Sequence, residues 1–109
     1  NFDYKDYQCI PTNIFPIIGY VLKNRFKWFS CMKDVADIDT GYARILSEHK
    51  CIALGMRSIK TSKGEDIGIL NVTWREGHED RIPEASIIQE KMTEIASKLE
   101  VLLDMSDYE

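Results

Sequence analysis

The stretch from Cys51 to Trp74 does most to limit what this chain can fold into. Two segments, CIALGMRSIK and EDIGILNVTW, are joined by the four residues TSKG. In the first, Ile52, Leu54 and Met56 fall on one face of an extended chain. In the second, Leu70, Val72 and Trp74 share one face, and Ile67 and Ile69 share the other. This period of two, broken by a short polar turn, predicts a β-hairpin. Gly64 supplies the positive φ that a tight turn needs. Apolar residues on both faces of the second segment predict a central strand covered on both sides. Gly68 lacks a side chain inside that strand, a place where a second backbone or a ligand can come close.

Helical periodicity surrounds the hairpin. Lys33 to Lys50 reads as a helical segment leading into it, with Asp39 and Thr40 as cap residues and Tyr42, Ile45 and Leu46 on one face. Phe26 to Cys31 is aromatic-rich and predicts a short strand. Before it, Ile14, Ile17, Ile18, Val21 and Leu22 recur at helical spacing behind the caps Thr12 and Asn13, with Pro16 in the first turn and Gly19 as a point of close packing. Tyr7 to Ile10 alternates as a short strand would. After the hairpin, Pro83 to Met105 predicts a long helix. Ile88, Met92, Ile95, Leu99 and Leu102 form its stripe, and Ile87, Val101, Leu103 and Met105 widen it. A stripe that wide predicts a second contact, such as another subunit.

Composition narrows the partners. With 109 residues there is room for one domain. The net charge of −4 is uneven: from Gly77 onward nine acidic residues face three basic ones, and before it nine face eleven. An acidic C-terminal part argues against a nucleic-acid partner, which would need a basic face. The apolar run Ile14 to Leu22 is about half the roughly 20 residues of a membrane-spanning helix. The chain opens on Asn1 rather than Met, so a piece of a longer protein is the expectation, cytoplasmic and with room for an upstream tether. Cys9, Cys31 and Cys51 form no CxxC pair. Three free thiols, with Cys31 and Cys51 as small core residues, are expected rather than a disulfide or a zinc site. Asp34, Asp37 and Asp39 lack the glycine and terminal glutamate of a calcium loop and read as caps and solvated loop. His49 and His78 read as solvated. Neither a nucleophile elbow nor a phosphate-binding glycine loop is present, so no metal and no catalytic residue is expected, and the chain reads as a non-enzyme.

The run KDVADIDTGYARILSEHKCIALGMRSIKTSKGEDIGILNV resembles the middle of a GAF domain. Asp34-Val35, Asp39 and Tyr42 stand where that family has a V-x-D-V…D-x-x-Y segment. Met56 to Ile59 matches the following strand, with Ser58 in place of the family's usual proline, and Ile67 to Val72 matches its G-V-L-x-V strand. Ile18 to Leu22 is similar to an upstream G-x-V-L helix, and Ile87 to Leu103 to the closing helix. The likeness spans roughly residues 17–104 and lacks a clear opening helix and first strands. It implies an α+β fold of the GAF-like (profilin-like) kind, an antiparallel sheet flanked by helices. It also implies a sensory or regulatory role, with a small ligand held between the sheet and Lys33 to Lys50. The positions so implicated are Trp28, Phe29, Cys31, Asp39, Tyr42, Ile45, Cys51 and Ala53, which equally read as core and cap residues. The N-K-F-D-E signature of the cyclic-nucleotide branch is absent, as are the cysteine contexts of the tetrapyrrole and sulfoxide-reductase branches, so the ligand stays unspecified. The alternative is a module for homodimerisation or docking alone, with Met92, Ile95, Leu99, Leu102 and Leu103 as its interface. A cysteine-thiolate enzyme is a more distant third.

Overall fold

The structure, a computed structural model, describes residues 15–106. The elements follow as α1 (Pro16–Asn24), β1 (Phe26–Phe29), α2 (Met32–Ala36), α3 (Thr40–Glu48), β2 (Cys51–Lys60), β3 (Asp66–Arg75), a short 3-10 turn (Glu79–Arg81) and α4 (Ala85–Ser106). The chain is thus α+β, with an antiparallel three-stranded sheet in the order β1-β2-β3 and helices around it. The expected strand at Tyr7 to Ile10, the caps Thr12 and Asn13, and Cys9 lie outside the described residues.

The hairpin forms as predicted, with Leu54 opposite Thr73, Met56 opposite Asn71 and Ser58 opposite Ile69. Gly64 takes φ 84° in the turn. The strand in the centre, however, is β2 and not β3. Every residue of β2 from Ala53 to Ile59 is buried, whereas β3 is exposed from Asp66 to Gly68 and at Thr73 and Arg75, and only half-buried elsewhere. The two-sided apolar pattern of β3 has a different cause from the one predicted. One side packs under the helices, while Ile67 sits at a bulge near the end of the strand, 43 % exposed.

The two faces of β2 carry different partners. Leu54 and Met56 join Ile17, Val21, Phe29, Val35 and Ala43 in the main core beneath α1, α2 and α3. On the opposite face Ala53 and Gly55 lie under α4, whose Ile88, Met92 and Ala96 are buried. Small residues on that face have a purpose. Trp28 of β1 and Trp74 of β3 meet edge-to-face across β2, ring centroids 5.4 Å apart, over the space that Ala53 and Gly55 leave. A Cβ on Gly55 would stand 2.7 Å from the Met92 sulfur, whereas nothing lies within 4 Å of the equivalent point on Gly68 or Gly19. Close packing therefore falls at Gly55, and Gly19 and Gly68 face open space. Gly55→Val should lower the unfolding free energy by about 1–3 kcal/mol through overpacking against α4. Gly68→Val should cost nothing measurable. Urea unfolding of both variants checks the pair, and equal losses would contradict this placement of α4.

Helix boundaries shift where caps decide them. The segment Lys33 to Lys50 divides into α2 and α3, because Asp39 takes an extended conformation (φ −153°, ψ 95°) and caps the second helix. Phe15, not Thr12 or Asn13, is the residue before α1, and Pro16 opens that helix. The long helix begins at Ala85 rather than Pro83, and the first strand stops at Phe29. At the far end α4 is tied down by its carboxylates. Glu100 accepts from the Lys60 amide at 2.7 Å and from Arg25 Nη2 at 3.4 Å, and Asp104 accepts from the Ser62 amide at 3.3 Å. Arg25 itself has φ 69°, a turn held by the bonds Arg25 N to Val21 O and Ser58 N to Arg25 O. Among the described residues no helix is long and apolar enough to cross a membrane.

Candidate functional site

The face of the sheet beneath α1, α2 and α3 is where polar chemistry collects. Asp39 is buried, and its two oxygens serve two helices. Oδ1 accepts from the Tyr42 amide at 3.0 Å and Oδ2 from the Ile17 amide at 3.3 Å. Phe15 offers α1 no side-chain cap, so a carboxylate 22 residues away fills that place. One negative charge thereby sits at two helix N-termini, where the backbone dipoles favour it. Fixing the start of α3 fixes Tyr42, whose ring packs edge-on against Phe15, centroids 5.3 Å apart.

From the other side, Asn71 of β3 donates Nδ2 to the Tyr42 hydroxyl at 3.3 Å. The Oδ1 of Asn71 is buried without a hydrogen-bond partner, as is Oγ of Ser58. Ser58 and Asn71 lie on the same face of neighbouring strands, at diagonal positions, since Ser58 opposes Ile69 and Asn71 opposes Met56. Buried polar atoms in folded proteins almost always find a partner, so an amide oxygen and a hydroxyl left without a protein partner on one face, beside a tyrosine hydroxyl, set this place apart from the rest of the core. Arg25 Nη1 is also buried and unpartnered, but on the α4 side, where Nη2 of the same guanidinium reaches Glu100.

The positions implicated by the resemblance do not converge on one cavity. Phe29 (fully buried), Asp39 and Tyr42 share the α1–α3 side. Trp28 and Ala53 lie on the opposite face of the sheet, under or beside α4. Ile45 is 41 % exposed, and Cys31 is exposed in the loop before α2 rather than in the core. Cys51 is buried at the start of β2 and donates its thiol to the Ala53 carbonyl at 3.3 Å. Burial pushes the Cys51 thiol up from its ordinary value, outweighing the lowering by that hydrogen bond and by Arg75. A thiol held in that way is a poor nucleophile at neutral pH. No group of three or more His, Cys, Asp or Glu side chains stands ready for a metal among the described residues.

Sequence reasoning passed over Ser58 and Asn71. The available signal was a polar residue at an inward-facing strand position: Ser58 follows Leu54 and Met56 on one face, and Asn71 follows Ile69. In the α4 set, Met92 is buried against Gly55 and belongs to the domain's own core, and Leu99 is half-buried. Ile95, Leu102 and Leu103 remain exposed, at 45 %, 61 % and 42 %. Ser97, Lys98, Val101 and Leu102 line an open apolar depression on the outer side of α4. No protein-family model, curated protein or solved structure matches the chain.

Proposed function

We propose that this chain is a non-catalytic, GAF-like sensory domain that takes a small polar ligand on the α1–α3 face of its sheet and signals through α4. The observation that carries this reading is the orphaned pair Ser58 Oγ and Asn71 Oδ1 beside the Tyr42 hydroxyl, two acceptors without partners in a buried setting. A ligand offering hydrogen-bond donors would satisfy them. Its binding energy would come largely from relieving unpaired groups rather than from area. The helix α4 lies on the other face of β2, so a small shift of β2 is felt at the Gly55–Met92 contact. The signal would be a population shift between arrangements of α4, of a size set by the ligand's differential affinity for them. The GAF resemblance, a regulatory role in signal transduction and a reducing, cytoplasmic setting fit this reading.

A thermal-shift screen against nucleotides, haem and common metabolites tests it. A true ligand at 100 times its dissociation constant stabilises by about 2.7 kcal/mol and raises the midpoint by several degrees. The shift should vanish in Asn71→Leu, whose fold the screen itself monitors. A panel without any such ligand, or a shift unchanged in Asn71→Leu, would remove the sensor reading. A second reading, a module for homodimerisation, is favoured by the exposed Ile95, Leu102 and Leu103 on α4. Sedimentation of Ile95→Glu, Leu102→Glu decides it: dissociation of a parent dimer is expected, and a monomeric parent sinks it.

A further inference from the structure

The geometry points to β3 as a self-pairing edge, through which a second copy of this chain continues the sheet by a two-fold antiparallel β3–β3 contact. This inference rests on the homodimer reading above and is independent of any ligand. The far edge of β3 faces no other strand among the described residues, over a ten-residue strand without proline or lysine. Long unprotected edges of this kind are templates for pairing with another chain. The direction of its free groups can be read from its ends. Glu76 N donates to Lys50 O, and Glu65 O accepts from Thr61 N, so both residues point toward β2. The single bulge at Ile67 reconciles their registers. The backbone groups of Ile69, Asn71 and Thr73 therefore point outward, where no other strand among the described residues pairs with them.

The sequence of β3 complements itself about Asn71. Antiparallel pairing centred there sets Leu70 against Val72 of the second copy and Ile69 against Thr73 of the second copy. It also sets Gly68, with open space above it, against Trp74 of the second copy. With the bulge counted, acidic Asp66 meets Arg75 of the second copy at both ends of the ladder. At the centre Asn71 meets Asn71 of the second copy, and around it the pairs are Leu–Val, Ile–Thr, glycine under tryptophan and opposite charge, none of which sets like charges together. The uncovered sheet face agrees. Glu100 reaches Arg25 and thereby marks the flank of α4 that leans toward β1. Ile95 and Leu102 lie about 140–160° round the helix from Glu100, on the flank toward β3. On the same sheet face Leu70, Val72 and Trp74 are only half-buried, and a second copy would extend that surface across the two-fold axis.

Sedimentation equilibrium and residue-resolved amide exchange on the parent chain test this at low and high concentration. Expected is a dimer in which the Ile69, Asn71 and Thr73 amides become protected as it forms. Arg75→Asp should weaken it by about tenfold, since two symmetric attractions become repulsions. Asp66→Arg placed in the same chain should restore it. A dimer broken by Leu102→Glu but indifferent to Arg75→Asp, with those three amides unprotected, would overturn the sheet pairing and leave the homodimer reading standing. A parent that stays monomeric would overturn both. Circular dichroism of the Arg75 variants guards against misreading a folding defect.

Discussion

Phe29→Ala lowers the unfolding free energy by about 3–5 kcal/mol, the range for deleting a buried aromatic ring from a packed core. The side chain has no exposed surface and ends β1 directly opposite Leu54. Around it stand Ile17, Val21, Val35, Ala43 and Met56, contributed by four other elements. Such a site collapses poorly when emptied, because each wall belongs to a different helix or strand. A domain of this size has about 5–15 kcal/mol in total, so the loss removes roughly a fifth of it or more. The melting temperature should fall on the order of 15–20 °C. Ile45→Ala, at a position 41 % exposed on the outer side of α3, is the control and should cost less than about 1 kcal/mol. Both residues stood together as pocket candidates on sequence grounds. Denaturant unfolding separates them, and comparable losses would mean that Phe29 does not hold this core.

Asp39→Ala should be the next most damaging change, at about 2–4 kcal/mol. The carboxylate is a cap for α3 through Tyr42 N and a remote cap for α1 through Ile17 N. Removing a cap alone costs about 0.5–2 kcal/mol. Here a second amide is stranded in a buried position, and bonds to a charged acceptor are worth about 1.5–3 kcal/mol each. Asp39→Asn keeps one acceptor oxygen and should recover part of the loss. The measurement is urea unfolding of both variants at constant slope. An alanine variant as stable as the parent would show that α1 and α3 are not tied through this residue. Tyr42 would also lose its fixed position, so any ligand that depends on the Tyr42–Asn71 pair should bind Asp39→Ala more weakly.

The hairpin, its turn at Gly64 and the long C-terminal helix were legible in the sequence because each rests on local pattern: alternation of period two, a positive φ, a helical stripe. Strand order was not. Counting apolar faces made β3 look central, yet a strand can be apolar on both sides at an edge when a bulge turns one residue outward, as at Ile67. The better sign of centrality was in β2, where Ala53 and Gly55 are small because α4 and two tryptophans crowd above them. The division of Lys33 to Lys50 into two helices depended on Asp39 serving Ile17, a contact 22 residues distant that periodicity does not register. For the candidate site, the resemblance implicated Asp39 and Tyr42, which lie on the α1–α3 side of the sheet. Trp28 and Ala53 were assigned with them although the pleat of the sheet sends them to the opposite face. Ser58 and Asn71 are polar residues at inward-facing strand positions, a pattern the sequence does carry, but that they lack partners is visible only once the chain is folded.

Residue-resolved native-state amide exchange, run at a concentration where the chain is monomeric, tests the central claim most directly: β2 is the buried middle strand and β3 an open edge. Protection by the full stability of the domain is predicted for the amides of residues 54–58, and exchange through small local openings for Ile69, Asn71 and Thr73. Equal protection along both strands, or fast local exchange within residues 54–58, would contradict it.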